Sequence, residues 1–134
     1  MIVADANLVA YLVIRGPMTA LAESALGRDA DWRLPPLWRS EVRNVLLKYV
    51  RQKTISSSQA IVAMQRAENM FVPGEAAVDS AHVLNLATIS GCSAYDCEYV
   101  ALAESLGVMV VSADRPLAQK FPGRVVPLAD FVRG

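Results

Sequence analysis

Val110-Val111-Ser112-Ala113-Asp114-Arg115-Pro116 reads as a strand that ends on an acid and turns directly into a helix. The apolar run Val108 to Val111 has the length and continuity of a strand buried on both faces. Pro116 suits the first turn of a short helix reaching Phe121, and Arg124-Val125-Val126 makes a last strand before Pro127. Upstream, Gly107 and Gly91 stand as C-terminal stops for helices predicted over Ala94 to Leu106 and Glu75 to Ser90. The chain begins in the same way: β-branched Ile2-Val3-Ala4 stops at Asp5, and Leu8 to Ile14 then reads as a helix halted by Gly16-Pro17.

Between these ends the alternation continues. A helix over Met18 to Leu26, closed by Gly27, precedes a brief strand at Asp31 to Leu34. From Leu37 to Lys53, the residues Val42, Val45, Leu46, Tyr49 and Val50 form one helical stripe. Ser56-Ser57-Ser58 caps another helix reaching about Asn69, and Phe71-Val72 reads as a third short strand before Pro73-Gly74. Short β-branched runs separated by helices predict an α/β fold: a three-layer α/β/α arrangement with a parallel sheet of about five strands. A length of 134 residues and a composition 54% hydrophobic against 19% charged fit one compact domain over residues 1–134 and exclude disorder.

No apolar run is long enough to span a bilayer, and Asp5 falls where a signal peptide would be apolar, so a cytoplasmic protein with no membrane attachment is expected. Cys92 and Cys97 have the spacing of neither a CxxC redox motif nor a zinc knuckle and read as reduced structural thiols. Thirteen basic residues balance thirteen acidic ones, so any attraction for a polyanion must be local. The stretch from Arg39 to Lys53 supplies such a stripe: Arg39, Arg43, Lys48, Arg51 and Lys53 against the single acid Glu41. Such residues would bind RNA phosphates without reading bases, although a solvated helix face carries similar charge. Trp32 and Trp38 read as packing residues, and the single histidine, His82, as a surface or core-edge residue.

Four acids matter together. Asp5 and Asp114 each follow a strand and could simply cap the next helix. Asp96 has an ordinary explanation as a third-position acid behind a Ser93 cap, yet it lines up with Val100 and Ala103 on an apolar face, whereas Glu98 points to the other side. Glu41 lies early in the long helix, at the border of its apolar stripe. All four fall at strand-to-helix junctions or first helical turns, and a parallel sheet gathers such positions at one edge. Clustered carboxylates repel by about 4 kcal/mol per pair at 4 Å and an effective dielectric of about 20, so they call for a divalent cation. All-oxygen ligands suit Mg²⁺ or Mn²⁺, which can activate water against a phosphodiester.

The pieces Ile2-Val3-Ala4-Asp5-Ala6-Asn7, Ser40-Glu41-Val42-Arg43-Asn44-Val45-Leu46, Ser93-Ala94-Tyr95-Asp96 with Tyr99-Val100-Ala101-Leu102-Ala103, and Val111-Ser112-Ala113-Asp114-Arg115 resemble, in this order, the PIN domain, in particular the VapC toxins of bacterial toxin–antitoxin pairs. The resemblance implies a Mg²⁺- or Mn²⁺-dependent endoribonuclease with Asp5, Glu41, Asp96 and Asp114 in its four acidic positions. It also implies Ser112 supporting the last acid, Asn7 supporting the first, a homodimer, and a small antitoxin that blocks the site. Two other readings remain open. An aspartyl-phosphate phosphatase or phospho-acceptor domain would want a second acid two residues after Asp5 and a nearby lysine, but Asn7 stands there and lysines occur only at 48, 53 and 120. A non-catalytic binding module could keep the acids for structural reasons.

Overall fold

A computed structural model describes all residues from Met1 to Gly134. Its centre is a parallel sheet in the order β2-β1-β3-β4, made of β1 (Ile2–Ala4), β2 (Trp32–Arg33), β3 (Val110–Ser112) and β4 (Val125–Pro127). Eight helices connect and cover it: α1 (Ala6–Val13), α2 (Thr19–Arg28), α3 (Trp38–Arg51), α4 (Ser57–Phe71), α5 (Ser80–Ser90), α6 (Ala94–Leu106), α7 (Arg115–Lys120) and α8 (Leu128–Arg133).

The alternation of side chains along each strand builds the three layers. Ile2 and Ala4 of β1 and Val111 of β3 pack with α1, α2, α3, α4 and α8 on one face. Val3 and Val110 point the other way, into a second core with Val100, Leu102 and Leu117 from α6 and α7. Both faces are covered, which is why β1 and β3 contain no polar residue before Ser112. Trp32 stacks on Phe71 at 5.2 Å and Trp38 meets the same ring edge-on at 6.3 Å, so both tryptophans are packing residues as expected.

The sheet has four strands where about five were expected. Phe71 is the last residue of α4, held there by Trp32 and Trp38, and Val72–Gly74 is a 3₁₀ turn. What survives of a fifth strand is an isolated parallel bridge between Leu34 and Glu75. Consequently α5 does not begin at Glu75; it starts behind Asp79, whose carboxylate accepts from the His82 N–H. Gly27 lies inside α2 rather than ending it, and α8 was not anticipated. Gly91 and Gly107 do end their helices, at φ 74° and 68°, where the left-handed backbone favours glycine. No helix is long and apolar enough to cross a membrane. Both cysteines are free thiols, Cys97 buried and Cys92 half-buried.

Candidate active site

The chain leaves β1 toward β2 on one side, while β3 and β4 lie on the other, so the strand order reverses between the adjacent strands β1 and β3. Open parallel sheets bind ligands beyond the carboxyl ends of strands at such a point. Asp5 follows β1 there, and Ser112 closes β3 directly beside it. The Ser112 hydroxyl donates to Asp5 Oδ2 at 2.5 Å, and the Ala113 N–H donates to the same oxygen at 3.0 Å. Asp5 Oδ1 accepts from the Leu8 N–H at 3.2 Å and so caps α1. The capping reading of Asp5 is thus correct and does not compete with a site role, because the bonds fix the carboxylate in place.

Asp114 repeats the design. Its Oδ1 accepts from the Leu117 N–H at 3.1 Å, capping α7, while its own N–H donates to Ser112 Oγ at 2.9 Å. Ser112, fully buried, therefore ties both acids together, supporting Asp5 through its proton and Asp114 through its oxygen. Asp96 comes from the first turn of α6, where its N–H donates to Ser93 Oγ. Glu41 comes from the first turn of α3, and the buried Tyr99 of α6 donates its hydroxyl to Glu41 Oε1 at 2.5 Å.

All four acids line one cavity of about 210 Å³, together with Ala6, Asn7, Asn44, Val45, Tyr99, Ser112 and Leu117. The lining contains no lysine, arginine or histidine. Burial, only partly offset by the bonds from Ser112, Ala113 and Leu8, lifts the Asp5 carboxyl above its ordinary range. Burial likewise raises Glu41, where the charges of Asp5, Asp96 and Glu98 add to it. Asp96 is raised by burial and then by Asp114. These acids are uncomfortable together, and nothing in the pocket neutralises them.

That donor set fits a hard divalent ion. As the side chains stand, no three Asp, Glu, His or Cys groups lie close enough together to hold a metal ion among them. An ion taking one or two carboxylates and completing its shell with water matches this open arrangement better than a fully protein-ligated one.

Some expected residues sit differently. Asn7 is exposed, and the Asp5 carboxylate is held by Leu8, Ser112 and Ala113 rather than by the Asn7 side chain. Arg39 is ion-paired: its guanidinium bonds both oxygens of Glu75, at 2.5 and 2.9 Å, and reaches Glu68 at 3.5 Å. Arg43 and Lys48 are exposed and form no ion pair. His82 pairs with Glu104 on the surface, outside the pocket. Glu98 lines a separate cavity beside α5, although its charge still bears on Glu41. Sequence reasoning missed Asn44 and Tyr99 as lining residues, though Asn44 lies three residues after Glu41 and Tyr99 three after Asp96, on the same helix sides.

The PIN-domain family matches residues 2–120. The chain belongs to that family. It is 33% identical over 131 residues to Ribonuclease VapC3 of Pyrobaculum aerophilum, an alignment covering 94% of this chain and 98% of that one. A crystal structure of a P. aerophilum protein has a TM-score of 0.76 at 22% identity, covering 98% of this chain and 85% of its own. A toxin–antitoxin complex from Klebsiella pneumoniae has a TM-score of 0.70 at 16% identity, with 96% and 98% covered. FitAcB from Neisseria gonorrhoeae reaches 0.71 at 17% identity, with 96% and 99% covered. The solved structures share the PIN fold.

Proposed function

We propose that this PIN domain, spanning residues 1–134, is a ribonuclease that hydrolyses RNA phosphodiester bonds with Mg²⁺ or Mn²⁺ and acts as the toxin of a toxin–antitoxin pair. The observation that carries the reading is the set of four carboxylates lining one cavity with no cationic side chain in it. The relative named as a ribonuclease and the structural neighbour described as a toxin–antitoxin complex support the activity and the pairing with an antitoxin. When bound, the cation supplies positive charge for a phosphate oxygen and acidifies a water molecule for attack at phosphorus.

The residues divide the remaining work. Asp5, immobilised by three donors, offers a carboxylate that cannot swing away when an ion arrives. Asp96 and Asp114 face it from α6 and the start of α7, and Glu41 closes the cavity from α3. Asn7 and Asn44 line the exposed rim and can hydrogen-bond ribose or base without adding charge. Arg43 and Lys48 supply phosphate contacts along α3; Arg39, captured by Glu75 and Glu68, is left out of this role. The absence of lysine from the pocket weighs against aspartyl-phosphate chemistry at Asp5. The antitoxin is a small protein that covers the pocket, the toxin works as a homodimer, and the place of action is the cytoplasm.

The test is cleavage of structured RNA by the purified chain under titration with Mg²⁺ or Mn²⁺. Activity that appears with the cation and vanishes in excess EDTA is expected. Full activity in EDTA, or its retention in Asp5→Asn, overturns the reading.

A further inference from the structure

The Glu41 carboxylate, unlike those of Asp5 and Asp114, makes no bond to the backbone. It projects from a helix on three side-chain torsions, whereas Asp5 and Asp114 each bond the backbone of the helix that follows them. Its neighbours Asp5, Asp96 and Glu98 all repel it. Left alone, such a carboxylate would turn toward solvent. One group opposes that: the Tyr99 hydroxyl, at 2.5 Å from Oε1 and 58 residues away in sequence, is its sole side-chain hydrogen-bond partner.

Tyr99 is well built as an anchor. Its ring is 3% exposed and packs in the second core with Val3, Val100 and Leu117. The ring is thus rigid, while Tyr99 also lines the cavity and its hydroxyl meets Glu41 there. A phenol keeps its proton at neutral pH, so the hydroxyl is the donor and the Glu41 carboxylate the acceptor.

We propose that Tyr99 is a positioning residue: its hydroxyl clamps Glu41 Oε1 and leaves Oε2 free of hydrogen bonds, so that Glu41 stays turned into the pocket and available to a divalent cation. The inference rests on the reading of this pocket as a cation site. A residue that only filled the core would be replaced by phenylalanine without loss to the pocket. A clamp would not be, because outer partners that orient metal-binding carboxylates commonly contribute 10- to 100-fold in affinity.

The experiment compares wild type with Tyr99→Phe by calorimetric Mn²⁺ binding to the full chain at one fixed pH, alongside cleavage rates and thermal unfolding. The expected result is a rise of about tenfold in the Mn²⁺ dissociation constant and in the Mn²⁺ concentration for half-maximal cleavage, with kcat at saturating Mn²⁺ changed by less than about threefold. In a Glu41→Gln background, the further change Tyr99→Phe should leave Mn²⁺ binding unaltered. Unchanged Mn²⁺ affinity in a folded Tyr99→Phe overturns the clamp. If that variant does not fold, wild-type protein carrying 3-fluorotyrosine decides: the buried Tyr99 fluorine resonance should shift with Mg²⁺ along the binding curve, and an unmoved line overturns it. Wild type that takes up no Mn²⁺ instead sinks the cation reading itself.

Discussion

Asp96→Asn separates a site acid from a first-turn acid, because the two respond in opposite senses. The substitution keeps the shape and leaves the Asp96 N–H on Ser93 Oγ, so the start of α6 is preserved. It removes a negative charge held near Asp114, the largest charge contribution to the raised state of this carboxyl. A pair of like charges about 6 Å apart repels by about 2.8 kcal/mol at an effective dielectric of about 20. Asp96 is only half-buried, and solvent on the open side cuts this to about 0.5–1 kcal/mol. Losing an acid from the first turn of a helix costs about 0.3 kcal/mol in return. The metal-free variant should therefore melt level with wild type or about 1–3 °C above it, and cleave RNA at least about 100-fold more slowly. Calorimetric melting in EDTA and a gel assay of RNA cleavage measure the two. Glu98→Gln is the control: Glu98 lines a separate cavity and bears on the cluster through its charge on Glu41 alone, so cleavage should stay within about threefold. An active Asp96→Asn, or one destabilised by more than about 1 kcal/mol, refutes the placement of Asp96 in a repelling cluster.

Three further outcomes follow from the same geometry. Asp5, Glu41 and Asp96 bind protons more tightly folded than unfolded, so metal-free stability should fall as pH rises from the ordinary carboxylate range through their raised one; melting across that rise should show this, and saturating Mg²⁺ should reverse the slope. Ser112→Ala removes the donor to Asp5 and the acceptor for the Asp114 N–H; it should cost about 1–3 kcal/mol in denaturant titration and move the acid limb of activity to higher pH, because Asp5 loses a bond that favours its charged form. At Gly74, an added Cβ would lie 2.1 Å from the Trp32 carbonyl oxygen, so Gly74→Ala should lose at least about 2 kcal/mol by the same titration; a neutral change would mean that the turn holding Glu75 can shift freely.

What could be read in the sequence was whatever depends on neighbours along the chain. Asp5 and Asp114 announce themselves because each ends an apolar strand, and β1 and β3 are adjacent once a parallel sheet is accepted. The helix ends at Gly91 and Gly107 are local backbone demands. Illegible features depend on distant partners. Phe71-Val72 has strand-forming side chains, but the stacking of Phe71 on Trp32 keeps it helical. Arg39 looks like part of a basic stripe until the chain brings Glu75, 36 residues on, against it. Tyr99 in an apolar helix reads as core, which its ring is; only the fold shows that its hydroxyl reaches an acid on another helix.

The ordinary and the functional explanations of these acids turn out to have one cause. In a parallel sheet covered by helices, the carboxyl ends of strands and the amino ends of the following helices meet at the same edge. Asp5 and Asp114 use one oxygen each to satisfy unpaired N–H groups of α1 and α7, and Asp96 sits in the positive field at the start of α6. Three helix amino ends therefore converge on the cavity and partly offset the clustered negative charge. The compensation is incomplete, since Asp5, Glu41 and Asp96 all remain raised. That residue of repulsion is what a divalent cation would relieve. A lysine placed in the pocket would relieve it as well, but permanently, and would thereby remove the attraction for the ion.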